Sequence, residues 1–342
     1  AVFPFPSNHV NAIDGFIKRE WLLRRVGGIC KRKYTNDLRL VKNIKKVINN
    51  GDIIVIYPEA RYSLCGIESY IPESIAKLVK HLKVPLVSLI SHGHHINSPF
   101  YNSHPRGIKY IESTMKCLVK PDELENISSS EIYDRIKNEF KYDDYKWQKE
   151  NNVIVPTDNR AIGLEKVLYK CPHCLTEYKM TSLNNTLQCS NCGATWNVSP
   201  ISELESDNPI FTHIPDWYKW EVEEVKKEII DGSYFFKDKV RIRSLPNSKG
   251  FIDLGIGELV HDMEGFHLTK DDLKLTLPSK ENYAVHIEYN YLFKYGDCID
   301  LNTLNDTYYC YPQRSDFSVT KISIATEVMY HYYMDKLKES KQ

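Results

Sequence analysis

Residues 52–59 read DIIVIYPE, so four apolar residues in a row are followed by an aromatic residue, a proline and a glutamate. A short, uninterrupted apolar run of this kind is typical of a strand buried on both faces of a parallel sheet. Pro58 would end the strand and leave Glu59 beyond its carboxyl end, where open α/β sheets bind their ligands. The stretch therefore predicts an α/β fold with a site at this edge of the sheet.

The segments around this strand extend the same pattern. Residues 38–50 carry apolar side chains at a roughly helical spacing, while residues 27–32 read as a turn, a short strand and a basic end. Residues 84–90, VPLVSLI, indicate a further buried strand, and a capped helix is predicted over 130–151. We expect these elements to form one α/β domain over residues 1–150, with a mixed sheet flanked by helices.

A histidine and an aspartate stand near the start of the chain. Residues 7–14 read SNHVNAID, which places Asp14 five positions after His9. A nearby carboxylate can hold the tautomer of an imidazole and stabilise its charged form while the imidazole removes a proton from a hydroxyl. His9 is therefore a candidate base and Asp14 its orienting residue. The same spacing occurs by chance in many chains, so the pair needs a wider context.

Four ordered blocks supply that context, at residues 8–14, 29–32, 57–63 and 84–85. Taken together, they make residues 1–145 resemble the glycerolipid acyltransferase family, which contains the lysophosphatidic acid acyltransferases. In that family the first block is Asn-His, four residues and Asp, and the second is an apolar pair ending in an acceptor-binding Arg. The third is an aromatic followed by Pro-Glu-Gly-Thr-Arg-Ser, and the fourth centres on Val-Pro.

The resemblance implies an O-acyltransferase. Such an enzyme moves a fatty acyl group from a thioester co-substrate, acyl-CoA or acyl carrier protein, to a lysophospholipid or glycerol phosphate, with 1-acylglycerol 3-phosphate as the expected type of acceptor. By the same resemblance His9 and Asp14 are catalytic. The acceptor-binding positions fall on Arg32, Glu59 and Arg61. The third block departs from the family, because an alanine replaces its Gly and the Arg stands one position early, so a member that binds lipid without turnover is the alternative.

Charge and hydropathy bear on the membrane. The 342 residues carry 45 basic and 45 acidic side chains, yet residues 15–50 hold eleven Lys or Arg against two acids. Such a face could meet anionic lipid or the phosphates of a carrier, or simply be a solvated helix surface. No run approaches the roughly twenty apolar residues that span a bilayer, and there is no signal peptide. We expect a cytoplasmic protein in peripheral contact with the inner face of the membrane. Only eight residues precede His9, so the acyltransferase-like domain is expected to be N-terminally short. The cations of interest are Lys18, Arg19, Arg24 and Arg25.

A second strong pattern is a pair of Cys-x-x-Cys motifs separated by fourteen residues. This spacing brings four thiolates around one zinc ion, and a closed set of four sulfurs makes the zinc structural. Disulfides are the alternative, but reduced thiols suit a cytosolic chain. We expect a zinc ribbon over residues 165–200, held by Cys171, Cys174, Cys189 and Cys192. Few cations occur in this segment, so nucleic acid is not an expected partner; a zinc-ribbon interaction protein is a further alternative.

Two other regions complete the interpretation. The cluster His92, His94 and His95 follows a predicted strand and could bind metal, or line the cleft of the site. Residues 210–342 predict a helix, several short alternating strands and a closing helix over 319–338. This β-rich domain resembles a pleckstrin-homology-like architecture without any residue motif. It could bind lipid, peptide or a partner, or serve only as a packing module.

Overall fold

The computed structural model describes residues 7–339, so residues 1–6 and 340–342, the ends of the first and last predicted domains, lie outside the described part. Its strands are β1 (Ser7–Ala12), β2 (Gly28–Lys31), β3 (Ile53–Val55), β4 (Leu86–His92), β5 (Glu112–Val119), β6 (Met180–Leu183), β7 (Thr186–Cys189), β8 (Thr195–Val198), β9 (Leu204–Glu205), β10 (Phe236–Ser244), β11 (Ile252–Asp262), β12 (Gly265–Lys270), β13 (Leu273–Pro278), β14 (His286–Glu288), β15 (Cys298–Asn302) and β16 (Thr307–Pro312). Its α-helices are α1 (Glu20–Arg25), α2 (Leu38–Asn49), α3 (Ser74–Leu82), α4 (His94–Asn97), α5 (Ser129–Glu139), α6 (Asp144–Glu150), α7 (Ile214–Asp231) and α8 (Val319–Glu339).

The chain divides into two compact units. Within the described range, the first unit takes residues 7–61, 227–315 and 322–339, and the second takes residues 62–226 and 316–321. The predicted domain over 1–150 is therefore divided after residue 61. Its first part belongs with the β-rich segment that we expected to form a separate domain over 210–342.

A three-stranded parallel sheet forms the beginning of the first unit, in the order β2-β1-β3. Parallel neighbours need crossover connections, and α1 and α2 lie in the two crossovers. The strands predicted within 27–32 and 52–57 are confirmed as β2 and β3. However, β3 lies at the sheet edge and Ile53 is 38% exposed, so the expectation of a strand buried on both faces was wrong.

The other sheet of the first unit has seven antiparallel strands, in the order β13-β12-β11-β10-β16-β15-β14. Its core contains Leu245, Cys298, Tyr309 and Tyr311, and Ile13 from the turn after β1 packs among them. This contact explains why the N-terminal strands group with the β-rich segment, since burial of apolar surface is what holds a unit together.

The second unit is built around an antiparallel pair, β4 and β5. Helices α3 and α5 pack on it through Val79, Val119, Ile132 and Ile136. The strand predicted over 84–90 exists as β4. In the described residues β4 pairs with β5 and does not extend the parallel sheet, so the single mixed sheet that we expected is not formed.

Two further segments of the second unit differ from prediction. The helix expected over 130–151 is interrupted, because Asp143 accepts hydrogen bonds from the N–H groups of Tyr145 and Lys146 and so starts α6 anew. The polar, acidic composition of residues 202–209 predicts a linker, but this stretch contains β9, whose Leu204 is buried, so it belongs to a sheet. None of the helices within residues 7–339 combines the length and apolar composition needed to cross a bilayer.

Asp143 makes stability depend on pH. Burial acts to raise the pKa of its carboxyl, but His213 Nε2 at 2.8 Å and the Lys146 N–H outweigh burial, and the pKa is lowered. A lowered pKa stabilises the fold above the unfolded value of about 4, and this stabilisation is lost as the pH falls through the folded pKa. We expect Asp143→Asn to unfold about 1–3 kcal/mol more easily at pH 7 and to show a flatter loss of stability below pH 4.

Urea unfolding between pH 3 and pH 7 measures both effects. Asp134→Asn is the matched control, since Asp134 is an exposed acid on α5. If the free energy of unfolding fell equally steeply with pH in Asp143→Asn and in the wild-type chain below pH 4, Asp143 would not be the source of this pH dependence.

Candidate functional site

Four cysteine sulfurs meet in the second unit. Sγ of Cys171 lies 3.7 Å from Sγ of Cys192, and Sγ of Cys174 lies 3.7 Å from Sγ of Cys189. All four atoms are within 4.8 Å of one another. Thiolates about 2.3 Å from a zinc ion at tetrahedral corners would stand about 3.8 Å apart. The sulfur positions therefore fit a tetrahedral ion, and the structure brings the four predicted cysteines together as a group that could hold zinc.

Both Cys-x-x-Cys motifs adopt the same tight turn. The N–H of Leu175 donates to the carbonyl of Cys171, and the N–H of Gly193 donates to the carbonyl of Cys189, both at 2.9 Å. Leu175 and Gly193 have left-handed backbones, with φ of +61° and +78°. These turns fold each motif back on itself, so both of its sulfurs face one centre.

Backbone N–H groups also point at two of the sulfurs. Burial raises the pKa of the Cys171 and Cys189 thiols, and the N–H groups two and three residues after each cysteine act in the opposite direction. Such N–H···S contacts favour the thiolate, which is the form that binds metal. The two turns thus supply both the sulfurs and the backbone N–H groups that favour their thiolate form.

The cysteine centre rests on a buried aromatic and ionic layer. The fully buried Trp196 ring lies 4.8 Å from the ring of Trp217, whose Nε1 donates to the carbonyl of Lys170 at 3.0 Å. Lys170 directly precedes the first cysteine. Its N–H donates to Glu221, and its ammonium lies 3.0 Å from Glu224, both on α7. A closed four-sulfur set anchored in this way suits a structural ion, because four sulfurs would fill every coordination position of a tetrahedral ion and leave none for a substrate.

His9 lies on β1, the central strand of the parallel sheet. It pairs in register with Gly28 on one side and Val55 on the other. Its Nδ1 is 3.3 Å from the hydroxyl of Tyr57, and its Nε2 is 3.1 Å from Oγ of Ser7. The fold therefore brings together the first block and the beginning of the third, and sets them beside the strand of the second.

Asp14 lies in the 3-10 turn Ile13–Phe16 that follows β1. Its carboxylate interacts electrostatically with His286 and Asp300 of the β-rich sheet, and with Tyr309. The catalytic pairing of His9 with Asp14 stays a prediction.

The guanidinium of Arg32 donates its hydrogen bonds to acceptors within the first unit. It donates to the carbonyls of Leu245 at 2.8 Å, Pro246 at 2.7 Å and Asn305 at 3.1 Å, and to Oγ1 of Thr307 at 2.7 Å. These four bonds occupy the donors that a phosphate would need. The geometry gives Arg32 a structural role in place of the predicted acceptor contact, because partners more than 200 residues away in sequence take its hydrogens.

The other two predicted acceptor residues follow β3. Arg61 forms an ion pair with Glu327 of α8 and donates to Oγ of Ser323 at 3.1 Å, and its side chain is only 8% exposed. Glu59 is partly buried in the turn before it, where Ala60 has a left-handed φ of +56°. Arg61 is therefore also engaged inside the unit.

A second histidine–carboxylate pair was missed by sequence reasoning. His92, at the end of β4, has its Nδ1 3.2 Å from Oδ1 of Asp144 on α6, and its ring stacks on Trp147. Burial raises the pKa of the Asp144 carboxyl, although the hydrogen bond with His92 opposes this. The His92 side chain is 23% exposed, so a ligand could reach its ring. No local pattern predicted this pair, because its members are 52 residues apart.

The predicted cluster of His92, His94 and His95 does not form a metal-binding group in the described residues. His95 is half-buried, its Nε2 lies 3.2 Å from the hydroxyl of Tyr145, and desolvation together with the nearby Arg106 lowers its pKa to about 3. It is therefore neutral near pH 7. Among the described residues, the possible metal-binding groups include none of the three histidines in this cluster.

Comparisons of the chain with protein families, with curated proteins and with solved structures found no match.

Removing one cysteine ligand tests the metal centre. We expect Cys189→Ser to lose one equivalent of zinc relative to the wild-type chain and to become sensitive to protease within residues 170–205, because the ion holds both turns. Metal analysis by mass spectrometry and limited proteolysis measure these effects. Cys117→Ser, an exposed cysteine on β5, is the matched control and should keep its zinc. Unchanged zinc content in Cys189→Ser would contradict the centre.

Replacing Arg32 distinguishes a structural role from an acceptor-binding role. We expect Arg32→Met to lower the free energy of unfolding by about 2–4 kcal/mol, since four acceptors lose a charged donor. Denaturant unfolding measures this loss, and Arg39→Met, at an exposed position on α2, should change it by less than about 0.5 kcal/mol. Unchanged stability with a weaker affinity for acceptor would show instead that Arg32 binds substrate.

Proposed function

We propose that the chain is an O-acyltransferase that moves a fatty acyl group from a thioester carrier to a hydroxyl of a lysophospholipid or glycerol phosphate. One observation carries the proposal. His9 stands on the central parallel strand with its ring against Tyr57, so blocks far apart in sequence meet around the candidate base. This arrangement supports the reaction that the ordered blocks predict.

In the proposed reaction, His9 removes the proton from the acceptor hydroxyl. The oxygen attacks the thioester carbonyl, the new C–O bond forms, and the C–S bond breaks. The imidazolium of His9 returns the proton to the leaving thiolate, so no external oxidant, reductant or metal is needed. Asp14 stabilises the imidazolium, and Tyr57 holds the Nδ1 side of the ring.

Helix α1 supports contact with a lipid surface. It has no buried residue, and Trp21, Leu22 and Val26 beside it are 65%, 44% and 61% exposed. The guanidinium of Arg25 lies over the Trp21 ring at 5.8 Å, which combines a cation with an apolar surface. Exposed aromatic and basic side chains of this kind suit the interface of an anionic membrane. We propose that α1 meets the membrane that supplies the acceptor.

A lipid-binding protein without turnover is the second candidate. It is favoured by the ion pair between Arg61 and Glu327, which engages an arginine that the family uses for its acceptor. Such a protein would bind a thioester or lysophospholipid and form no ester.

A transfer assay separates the two candidates. The purified chain is incubated with acyl-CoA and lysophospholipids in vesicles, and products are read by mass spectrometry. We expect a new ester, and we expect His9→Ala to form it about 10²–10⁴-fold more slowly, because it lacks the general base. His92→Ala is the matched control, since it removes a histidine that is paired with an aspartate, Asp144, away from β1.

Equal rates in His9→Ala and the wild-type chain would rule out the proposed base. If His92→Ala lost transfer activity and His9→Ala kept it, the general base would be His92 on β4. Retained binding of acyl-CoA with no ester from any acceptor would establish the second candidate.

A further inference from the structure

The pair β14–β15 presents three metal-binding side chains on one face. His286 is directly opposite Asp300 in the antiparallel register, and Glu288 follows His286 by two residues, which places it on the same face. One ligand atom from each residue lies within 4.8 Å of the other two, and His286 Nε2 is 2.9 Å from Oε1 of Glu288. We call these residues the His–Glu–Asp trio.

The trio is buried. The side chains of His286 and Glu288 are 1% and 12% exposed, and Asp300 is 3% exposed. Among the described residues, no lysine or arginine nitrogen lies within 4.0 Å of either carboxylate. Two carboxylates this close repel each other and lose hydration, so ionised they require a positive partner.

Acidic side chains outnumber the cations around the trio. Asp14 interacts electrostatically with two members of the trio, and Lys33 is the cation that acts on all three. Arg61 also acts on the histidine, but its guanidinium is already paired with Glu327. Three carboxylates thus face one lysine that is not already paired with another acid in the described residues.

A buried tyrosine lies on the same side of the sheet. Asp300 pairs in register with Tyr309, so Tyr311, two residues further along β16, points to this side. Tyr311 is fully buried, its phenol interacts electrostatically with Asp300, and its hydroxyl interacts with the thiol of Cys298.

We propose that the His–Glu–Asp trio binds one divalent transition-metal cation of the Mn²⁺ or Zn²⁺ type. One imidazole and two carboxylates form a donor set for such ions, whereas four thiolates select softer ones. Ligands about 2.1 Å from a common ion stand about 3.0–3.5 Å apart, and the contact between His286 and Glu288 is already this short. Three protein ligands leave coordination positions for water or for an oxygen of a ligand.

Titration with Mn²⁺ tests the site without an activity assay. The chain, loaded with a single equivalent of zinc, which the four thiolates take preferentially, is titrated with manganese chloride, and free Mn²⁺ is followed by electron paramagnetic resonance, since the cysteine centre disfavours this ion. We expect one Mn²⁺ per chain and a higher melting temperature on binding. Glu288→Gln and Asp300→Asn should each raise the Kd at least tenfold, because each removes one anionic ligand.

Asp272→Asn is the matched control, since Asp272 is an exposed acid in the turn between β12 and β13, and its Kd should equal that of the wild-type chain. Circular dichroism shows whether each variant folds, and Glu288→Gln, at the end of an edge strand, decides the test if Asp300→Asn does not fold. A wild-type chain that binds no Mn²⁺ at millimolar concentrations, or Glu288→Gln binding as tightly as the wild type, would overturn the site. Neither result depends on whether the chain transfers acyl groups.

Discussion

The guanidinium of Arg32 is the contact on which the first unit depends. A single half-buried cation satisfies three carbonyls and a hydroxyl from the β-rich segment, and so fixes the parallel strands beside it. Removing water from a guanidinium is costly unless its hydrogens find acceptors, and here the four hydrogens of its two terminal nitrogens do. Because β2 is held in this way, the neighbouring β1 with His9, and the turn with Asp14, have a defined position against the same sheet.

The second unit is organised by a different kind of constraint. Its four cysteines lie in two short turns, and the chain on either side packs through Trp196 and Trp217. The small sheet β6-β7-β8-β9 has little apolar surface to bury, so helix α7, and an ion at the cysteines when bound, would supply what its core lacks. The buried Glu221, which accepts from the N–H of Lys170, connects the two sources of stability.

Local patterns predicted much of this molecule and distant contacts did not follow from them. The cysteine turns, β2, β3 and the start of α5 at Ser128 depend on residues close in sequence, and these predictions are confirmed. The pairing of Arg32 with Leu245 spans 213 residues, and that of His92 with Asp144 spans 52. No spacing rule relates such residues. For the same reason, a sequence motif could suggest that Arg32 binds the acceptor. It could not show that the Arg32 guanidinium donates its hydrogen bonds to distant backbone carbonyls and a hydroxyl.

The first unit is assembled from three separate stretches of chain, with residues 62–226 of the second unit inserted between the first two of them and residues 316–321 between the last two. During synthesis on the ribosome, residues 7–61 leave the exit tunnel long before the strands that will cover Ile13 and Arg32 have been made. Most of the inserted unit can fold in that interval, while the N-terminal strands wait with apolar surface exposed. Because its apolar surface stays exposed until translation reaches the partner strands, this N-terminal segment is the part of the chain that chaperones would bind during synthesis. Termination of translation between residues 226 and 312 would leave the parallel strands without their full partner sheet.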